Sequence, residues 1–275
     1  MHADPQQLYW LIAALALAGL LAGLLAGLLG VGGGLVIVPV VYQVLLTTGA
    51  SQDHLMQVAV GTSLALIVPT SLRSALGHHS RGAVLSWLLR RWSVALVFGV
   101  AAGVGVAHTL SSGALALVFA TLVLAMAGWL AWAPESFRLG TDLPRGPGAH
   151  VIPASIGGFS ALMGIGGGSL SVPIMTAYGI PLLQAVGTSA ALGLMIALPG
   201  AAGFMIAGWQ VPGLPPYSLG YINLLTAACV LPSMLLAVPW GVRLAHHVSG
   251  RTLRLAFALF LVITGVRMAW AGLSG

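Results

Sequence analysis

Two glycine runs, each followed by a proline, contain the residues with the clearest capacity for chemistry in this sequence. They are Gly32–Gly34 with Pro39 and Gly166–Gly168 with Pro173. Because glycine has no Cβ, such a run releases the backbone from helical geometry and lets its N–H groups approach a ligand closely. A helix that begins after the run adds unpaired N–H donors and the positive end of its dipole. These N–H donors suit an anionic ligand. The alternative role of the glycines is to let helices pack closely through small residues.

A Gly-Thr-Ser triplet occurs once in each half of the chain, at 61–63 and at 187–189. Each triplet places two adjacent hydroxyls near the start of an apolar helix. A hydroxyl can donate a hydrogen bond to an oxyanion and accept one from a protonated substrate. The alternative use is a bond to the preceding helical turn. Ser169 and Ser171 have apolar residues at the corresponding positions of the first glycine run, so the two runs could hold a ligand unequally.

Other candidates for chemistry are sparse. Arg73 lies near the end of the helix that carries the first triplet, where it could pair with an anion or extend to lipid phosphates. No acidic residue falls within a predicted span, so a cationic substrate would find no buried counter-charge. The pairs His78–His79 and His246–His247 make poor metal sites, because adjacent helical residues do not face each other. With Cys229 as its one cysteine, the sequence predicts no metal, no cofactor and no catalytic residues, and therefore not an enzyme.

The composition requires a lipid environment. Of the 275 residues, 59% are hydrophobic and only 5% are charged, whereas soluble domains carry roughly 25% charged residues. The net charge of +6 comes from arginines scattered between apolar stretches, which predicts no nucleic-acid partner. The sequence therefore predicts an all-α integral membrane protein that crosses the cell (inner) membrane several times.

The two motifs recur in the same order, which indicates a tandem duplication. The glycine motifs start 134 residues apart (164 − 30) and the triplets 126 apart (187 − 61). A weaker match relates Gly103 to Gly241, 138 residues apart. We interpret residues 1–133 as a first membrane repeat, 134–150 as a linker and 151–275 as a second membrane repeat.

Each repeat contains one apolar segment too short to span a bilayer as a helix. Segments 35–46 and 169–178 fall below the ~20 residues required, so we expect each to form a hairpin with the preceding helix, broken at the glycine run, with about three transmembrane helices following. Placing 73–91, the linker and 243–254 in the cytoplasm retains nine of the ten arginines inside. The loop 109–113 is then outside whereas its repeat counterpart is inside, which predicts inverted topology. Such repeats are typical of secondary transporters, whose substrate site lies near the membrane midplane.

The segments Leu29–Pro39 and Met163–Pro173, with the two Val-Gly-Thr-Ser segments, resemble the TauE/SafE family of membrane permeases over essentially the whole chain. The resemblance implies transport of small anions, above all sulfite and organosulfur compounds such as sulfonates. Together with the repeats it predicts alternating access; the alternative function is a non-transporting subunit or anchor of a larger complex. The predicted substrate-binding residues are Gly32, Gly33, Gly34, Gly61, Thr62, Ser63, Arg73, Gly166, Gly167, Gly168, Ser169, Gly187, Thr188 and Ser189.

Overall fold

A computed structural model describes residues 5–29, 33–47, 51–132, 138–140, 142–144, 146–245 and 250–274. Within these ranges the chain forms ten α-helices: α1 Pro5–Leu29, α2 Gly34–Thr47, α3 Leu55–His79, α4 Ser86–Thr109, α5 Ser112–Trp132, α6 Gly148–Met163, α7 Gly168–Ala177, α8 Leu182–Ala207, α9 Leu224–Ala245 and α10 Gly250–Ser274. A 3-10 turn, Gln52–His54, precedes α3. Two short antiparallel strands, β1 Ser218–Leu219 and β2 Ile222–Asn223, lead into α9, with Ser218 opposite Asn223.

The helices have the length and apolar composition of membrane spans. In the described part of the chain, α3, α4, α5, α8 and α9 are long and apolar enough to cross a bilayer. Large apolar side chains such as Phe98, Ile206 and Trp270 are exposed on the outer surface, where lipid would cover them, and Trp92 and Phe119 are fully buried between helices. The predicted all-α integral membrane class is therefore confirmed.

Both predicted helix breaks occur at the glycine runs. α1 ends at Leu29 and α2 begins at Gly34; α6 ends at Met163 and α7 begins at Gly168. Gly33 and Gly167 have φ angles of +75° and +74°, a left-handed conformation that glycine adopts without a Cβ penalty. The carbonyl of each accepts N–H groups from the residues three and four positions further on, at 2.7–3.2 Å. Gly33 and Gly167 therefore start the helix that follows in the same way.

The helix contacts repeat between the two halves. When α1–α5 are matched in order to α6–α10, α1 packs on α9 as α6 packs on α4, and α3 packs on α9 as α8 packs on α4. Two pairs join equivalent helices directly, α3 with α8 and α5 with α10. Exchanging the halves leaves this pattern unchanged, so the duplication in the sequence is also a duplication in the packing.

The central pair, α3 and α8, runs antiparallel. Gly193 of α8 packs against Ser71 of α3, and Gly200 packs against Leu64, so residue numbers rise along one helix as they fall along the other. The starts of these two equivalent helices therefore lie at opposite ends of the molecule.

The other equivalent pair, α5 and α10, has the same relation. Gly113 at the start of α5 packs against Gly272 near the end of α10, and Gly265 packs against Leu124. In each of these two pairs, the equivalent helices therefore run in opposite directions.

Candidate functional site

The two glycine breaks meet inside the molecule. At the start of α2, Gly34 packs against the backbone of Gly164 and Ile165, so closely that a Cβ on Gly34 would lie 2.9 Å from Ile165 Cα. Ser63 of α3, which is fully buried, donates a hydrogen bond to the Gly164 carbonyl over 2.7 Å. The structure therefore brings the predicted residues Gly34 and Ser63 of the first half to the break of the second half.

Three helices surround the second break. A Cβ on Gly193 of α8 would lie 2.7 Å from the Gly166 carbonyl oxygen and 2.8 Å from Ser71 Oγ of α3. A Cβ on Gly167 would lie 3.5 Å from Ser160 Oγ of α6. The Gly166 carbonyl thus packs against Gly193 of α8, which also contacts Ser71 of α3, and Gly167 packs beside Ser160 of α6.

The break ends at the N-terminus of α7. The first N–H groups of a helix have no carbonyl partner within the helix, and here they belong to the predicted residues Gly168 and Ser169. Both residues are buried. Buried N–H donors at the positive end of a helix dipole favour a negatively charged ligand.

The two predicted threonines bind backbone of the opposite half. Thr62 Oγ1 accepts a hydrogen bond of 2.8 Å from the N–H of Asn223, just before α9, and Thr188 Oγ1 accepts one of 2.9 Å from the N–H of Leu85, just before α4. Because α3 and α8 start at opposite ends of the molecule, these matching contacts also lie at opposite ends.

The glycines beside these threonines allow the backbone of the opposite half to approach closely. Gly61 packs against the Tyr221 carbonyl, and a Cβ on Gly187 would lie 2.5 Å from the Ala83 carbonyl oxygen. Each Gly-Thr pair therefore contacts a segment of the other half. The pair at 61–62 contacts the segment before α9, and the pair at 187–188 contacts the segment before α4. A contact with substrate at these four residues stays a prediction.

Of the remaining predicted residues, the structure describes Ser189 and Arg73. Ser189 Oγ donates a hydrogen bond to the Val186 carbonyl over 2.8 Å, within its own helix. Arg73 is exposed on the surface of α3, beside the exposed side chain of Leu72. Gly32 lies outside the described residues. A substrate role for these three residues also stays a prediction.

Three serines at the second break were missing from the predicted binding set: Ser71, Ser160 and Ser171. Each is buried, and none has a hydrogen-bond partner for its Oγ within the described structure. A serine in an apolar helix commonly bonds to its own backbone, so its type alone does not mark a site. The sequence signal that could have found these serines is a comparison of the two repeats, because apolar residues occupy the matching positions of the other repeat.

A polar cluster at the start of α3 was also not predicted. The Tyr221 hydroxyl lies 3.3 Å from His108 Nδ1, and the rings of Tyr221 and His54 are 5.6 Å apart. Burial raises the pKa of the Tyr221 phenol, which keeps it protonated and able to donate to an imidazole nitrogen. Among the residues that the structure describes, no group of three or more His, Cys, Asp or Glu side chains could hold a metal ion.

The apolar helices define an integral membrane protein, and comparison with known proteins identifies it as a membrane transporter. A family model described as "Sulfite exporter TauE/SafE" matches residues 15–268. The chain belongs to this family, which confirms the resemblance seen in its motifs.

Named relatives cover nearly the whole chain. A probable membrane transporter protein of Haemophilus influenzae is 34% identical over 261 residues, which are 94% of this chain and 96% of that protein. The probable membrane transporter protein YunE of Bacillus subtilis is 26% identical over 284 residues, 94% and 97% of the two chains. A probable membrane transporter protein of Methanocaldococcus jannaschii is 24% identical, with 94% and 95% covered. No solved structure matches the chain significantly.

Proposed function

We propose that this membrane transporter is a secondary carrier of small anions, with sulfite and sulfonates as its substrates. The observation that carries the proposal is the junction of the two glycine breaks, where the N-terminus of α7 and several hydroxyls lie buried between the two halves. These groups supply hydrogen-bond donors for the oxygens of a sulfite or sulfonate group. The family description, which names sulfite, supports the same class.

The distribution of negative charge agrees with an anionic substrate. Asp53 and Asp142, the acidic residues that the structure describes, lie in the turn before α3 and in the linker. A substrate between the helices therefore meets no described carboxylate that would repel it. Any coupling to protons would have to use histidine or the substrate's own ionisation, since carboxylates are the usual intramembrane proton carriers.

The repeats would supply the transport step by alternating access. We propose that they are inserted with inverted topology, and the antiparallel pairs α3–α8 and α5–α10 support this arrangement. The matching contacts Thr62–Asn223 and Thr188–Leu85 lie at opposite ends, where one would open as the other closes. Rocking of one half against the other would then expose the buried junction to each side in turn.

The positions of the arginines support an orientation in the membrane. We propose that the protein lies in the inner cell membrane, with repeats 1–133 and 151–275 joined by a cytoplasmic linker, 134–150. This orientation keeps most arginines on the cytoplasmic side. The proposed partners are the substrate anion and the bilayer, with no nucleic acid.

Sulfite flux through the pure protein tests the function. The protein is reconstituted into liposomes, and sulfite entry is measured against empty liposomes, with sulfoacetate, taurine and sulfate as competitors. We expect saturable entry that sulfoacetate inhibits. Absence of flux for all of these solutes contradicts the proposed substrate class, and flux without any partner protein excludes a role as a passive subunit or anchor.

A further inference from the structure

Four buried serines surround the second glycine break. Ser71 comes from α3, Ser160 from α6, and Ser169 and Ser171 from the first turn of α7, and their exposed fractions lie between 0% and 6%. Within the described structure none of the four Oγ atoms has a hydrogen-bond partner. A buried hydroxyl without a partner destabilises a fold, so four of them around one break require an explanation.

The first break lacks these hydroxyls. At an offset of 134 residues the counterparts of Ser160, Ser169 and Ser171 are apolar, and at an offset of 126 the same holds for Ser71. These counterparts are Ala26, Leu35, Ile37 and Ala197, all of them buried. Gly33 and Gly167 have matching φ angles, but the two breaks differ completely in these side chains.

We infer that the transported anion binds at the second break alone, rather than symmetrically between the two breaks. Its oxygens accept hydrogen bonds from the N–H groups at the start of α7 and from the surrounding serine hydroxyls. Ser71 and Ser160 are central to this site, because Ser71 Oγ packs against Gly193, as the Gly166 carbonyl does, and Ser160 Oγ lies beside Gly167. The inference rests on the proposed function and deepens it by assigning the binding residues.

The arrangement favours one chemical class of ligand. A sulfite ion or a sulfonate headgroup presents three oxygens that diverge from one sulfur, and each oxygen can accept several hydrogen bonds. Hydroxyls carried by three different helices, α3, α6 and α7, match such a group better than they match a planar carboxylate with two oxygens. Because Ser71 belongs to the first half and the other serines to the second, the bound anion connects the two halves that move during transport.

Ligand-induced thermal stabilisation of the purified full chain in detergent tests the site. The probes are sodium sulfite and sodium sulfoacetate, with sodium acetate as the planar comparison, applied to wild type, Ser71→Ala and Ser160→Ala. Thr70→Val is the matched control, because Thr70 is a fully buried neighbour of Ser71 whose hydroxyl donates to the Leu66 carbonyl in its own helix.

We expect the two serine variants without ligand to melt at or above the wild-type temperature, because they lose a hydroxyl that has no partner. Their dissociation constant for sulfite should rise about tenfold each, the usual effect of one charge-assisted hydrogen bond. Thr70→Val should keep the wild-type affinity, and acetate should stabilise wild type less than sulfite does.

Two results separate failure of the site from failure of the function. If wild type binds sulfite and the serine variants bind it equally well, or if Thr70→Val loses as much affinity as they do, the assigned site is wrong while the proposed function stands. If wild type responds to neither sulfite nor sulfoacetate, the proposed substrate class fails, and this site fails with it.

Discussion

Buried hydroxyl side chains of α3 and α8 differ in what they bind, and this difference separates structural residues from candidate substrate-binding residues. Thr62 and Thr188 accept hydrogen bonds from the backbone of the opposite half, and Ser63 donates to the carbonyl of Gly164. Ser71 has no such partner within the described structure. The first three therefore already support the packing of the two halves, whereas Ser71 has its hydrogen-bonding capacity available for a substrate.

The glycines of the site could be predicted from the sequence more readily than its serines. Glycine runs that recur with a proline at fixed spacing have few structural explanations, and Gly34 does lie at the junction of the two breaks. The hydroxyl of a serine or threonine in an apolar helix commonly donates a hydrogen bond to a carbonyl of the preceding turn. Thr70, beside Ser71, does so. Only the tertiary structure shows which of two neighbouring hydroxyls lacks a partner.

Thr62→Val tests the structural role of the Gly-Thr pairs. The valine keeps the side-chain shape but leaves the buried N–H of Asn223 without its acceptor, which should lower the free energy of unfolding by about 1–3 kcal/mol. Unfolding in detergent, followed by circular dichroism, measures the change. Thr121→Val is the control, because Thr121 is exposed and bonds within its own helix; its effect should stay within about 0.5 kcal/mol. Equal losses in the two variants would contradict the assigned contact.

The bounds of the helices agree closely with the bounds of apolar stretches in the sequence, and the differences between them have physical causes. The apolar stretch 185–208 corresponds to α8, Leu182–Ala207. The stretch 92–108 corresponds to α4, which begins earlier, at Ser86. That extension contains Arg90 and Arg91, whose charges interrupt the hydropathy signal, although a helix readily carries arginines at the membrane edge.

The pairing of helices could not be predicted from the sequence. α4 packs tightly on α6, with Gly99 against Ala154 and Gly103 against Gly158. α1 packs on α9 through glycines of the same kind. Small-residue faces resemble one another in composition and permit close approach to any similar face. The choice of partner therefore depends on the three-dimensional arrangement of all ten described helices rather than on a local motif.

In the whole molecule, the proposed alternating access depends on how the two repeats are inserted in the membrane. Equivalent helices that touch run antiparallel in the structure, and the arginines suggest cytoplasmic placement for both 73–91 and 243–254. Together these observations support the proposal that the two halves have opposite membrane orientations. The equivalent loops after α3 and α8 should then lie on opposite sides of the membrane.

Cysteine labelling of those two loops checks the inverted arrangement. In a Cys229→Ala background, Ser80→Cys and Gln210→Cys each place one thiol in an exposed position of a loop. A membrane-impermeant maleimide applied to intact cells should label the cysteine at 210 and spare the one at 80, and permeabilised cells should allow both to react. Labelling of both positions in intact cells, or of neither, would place the loops on the same side and contradict inversion.

We propose that transport depends on the junction of the two glycine breaks, and Gly34→Ala tests this dependence most directly. A Cβ at Gly34 would press on the backbone of Gly164 and lie 2.9 Å from Ile165 Cα, whereas a Cβ at Gly105 would have no atom within 4 Å. The measurement is sulfite flux in liposomes that contain equal amounts of each folded variant. We expect Gly34→Ala to lower flux about tenfold, the effect of about 1.4 kcal/mol, which lies within the usual cost of overpacking, while Gly105→Ala retains the wild-type rate. Equal, undiminished flux in the two variants would contradict a transport role for the junction.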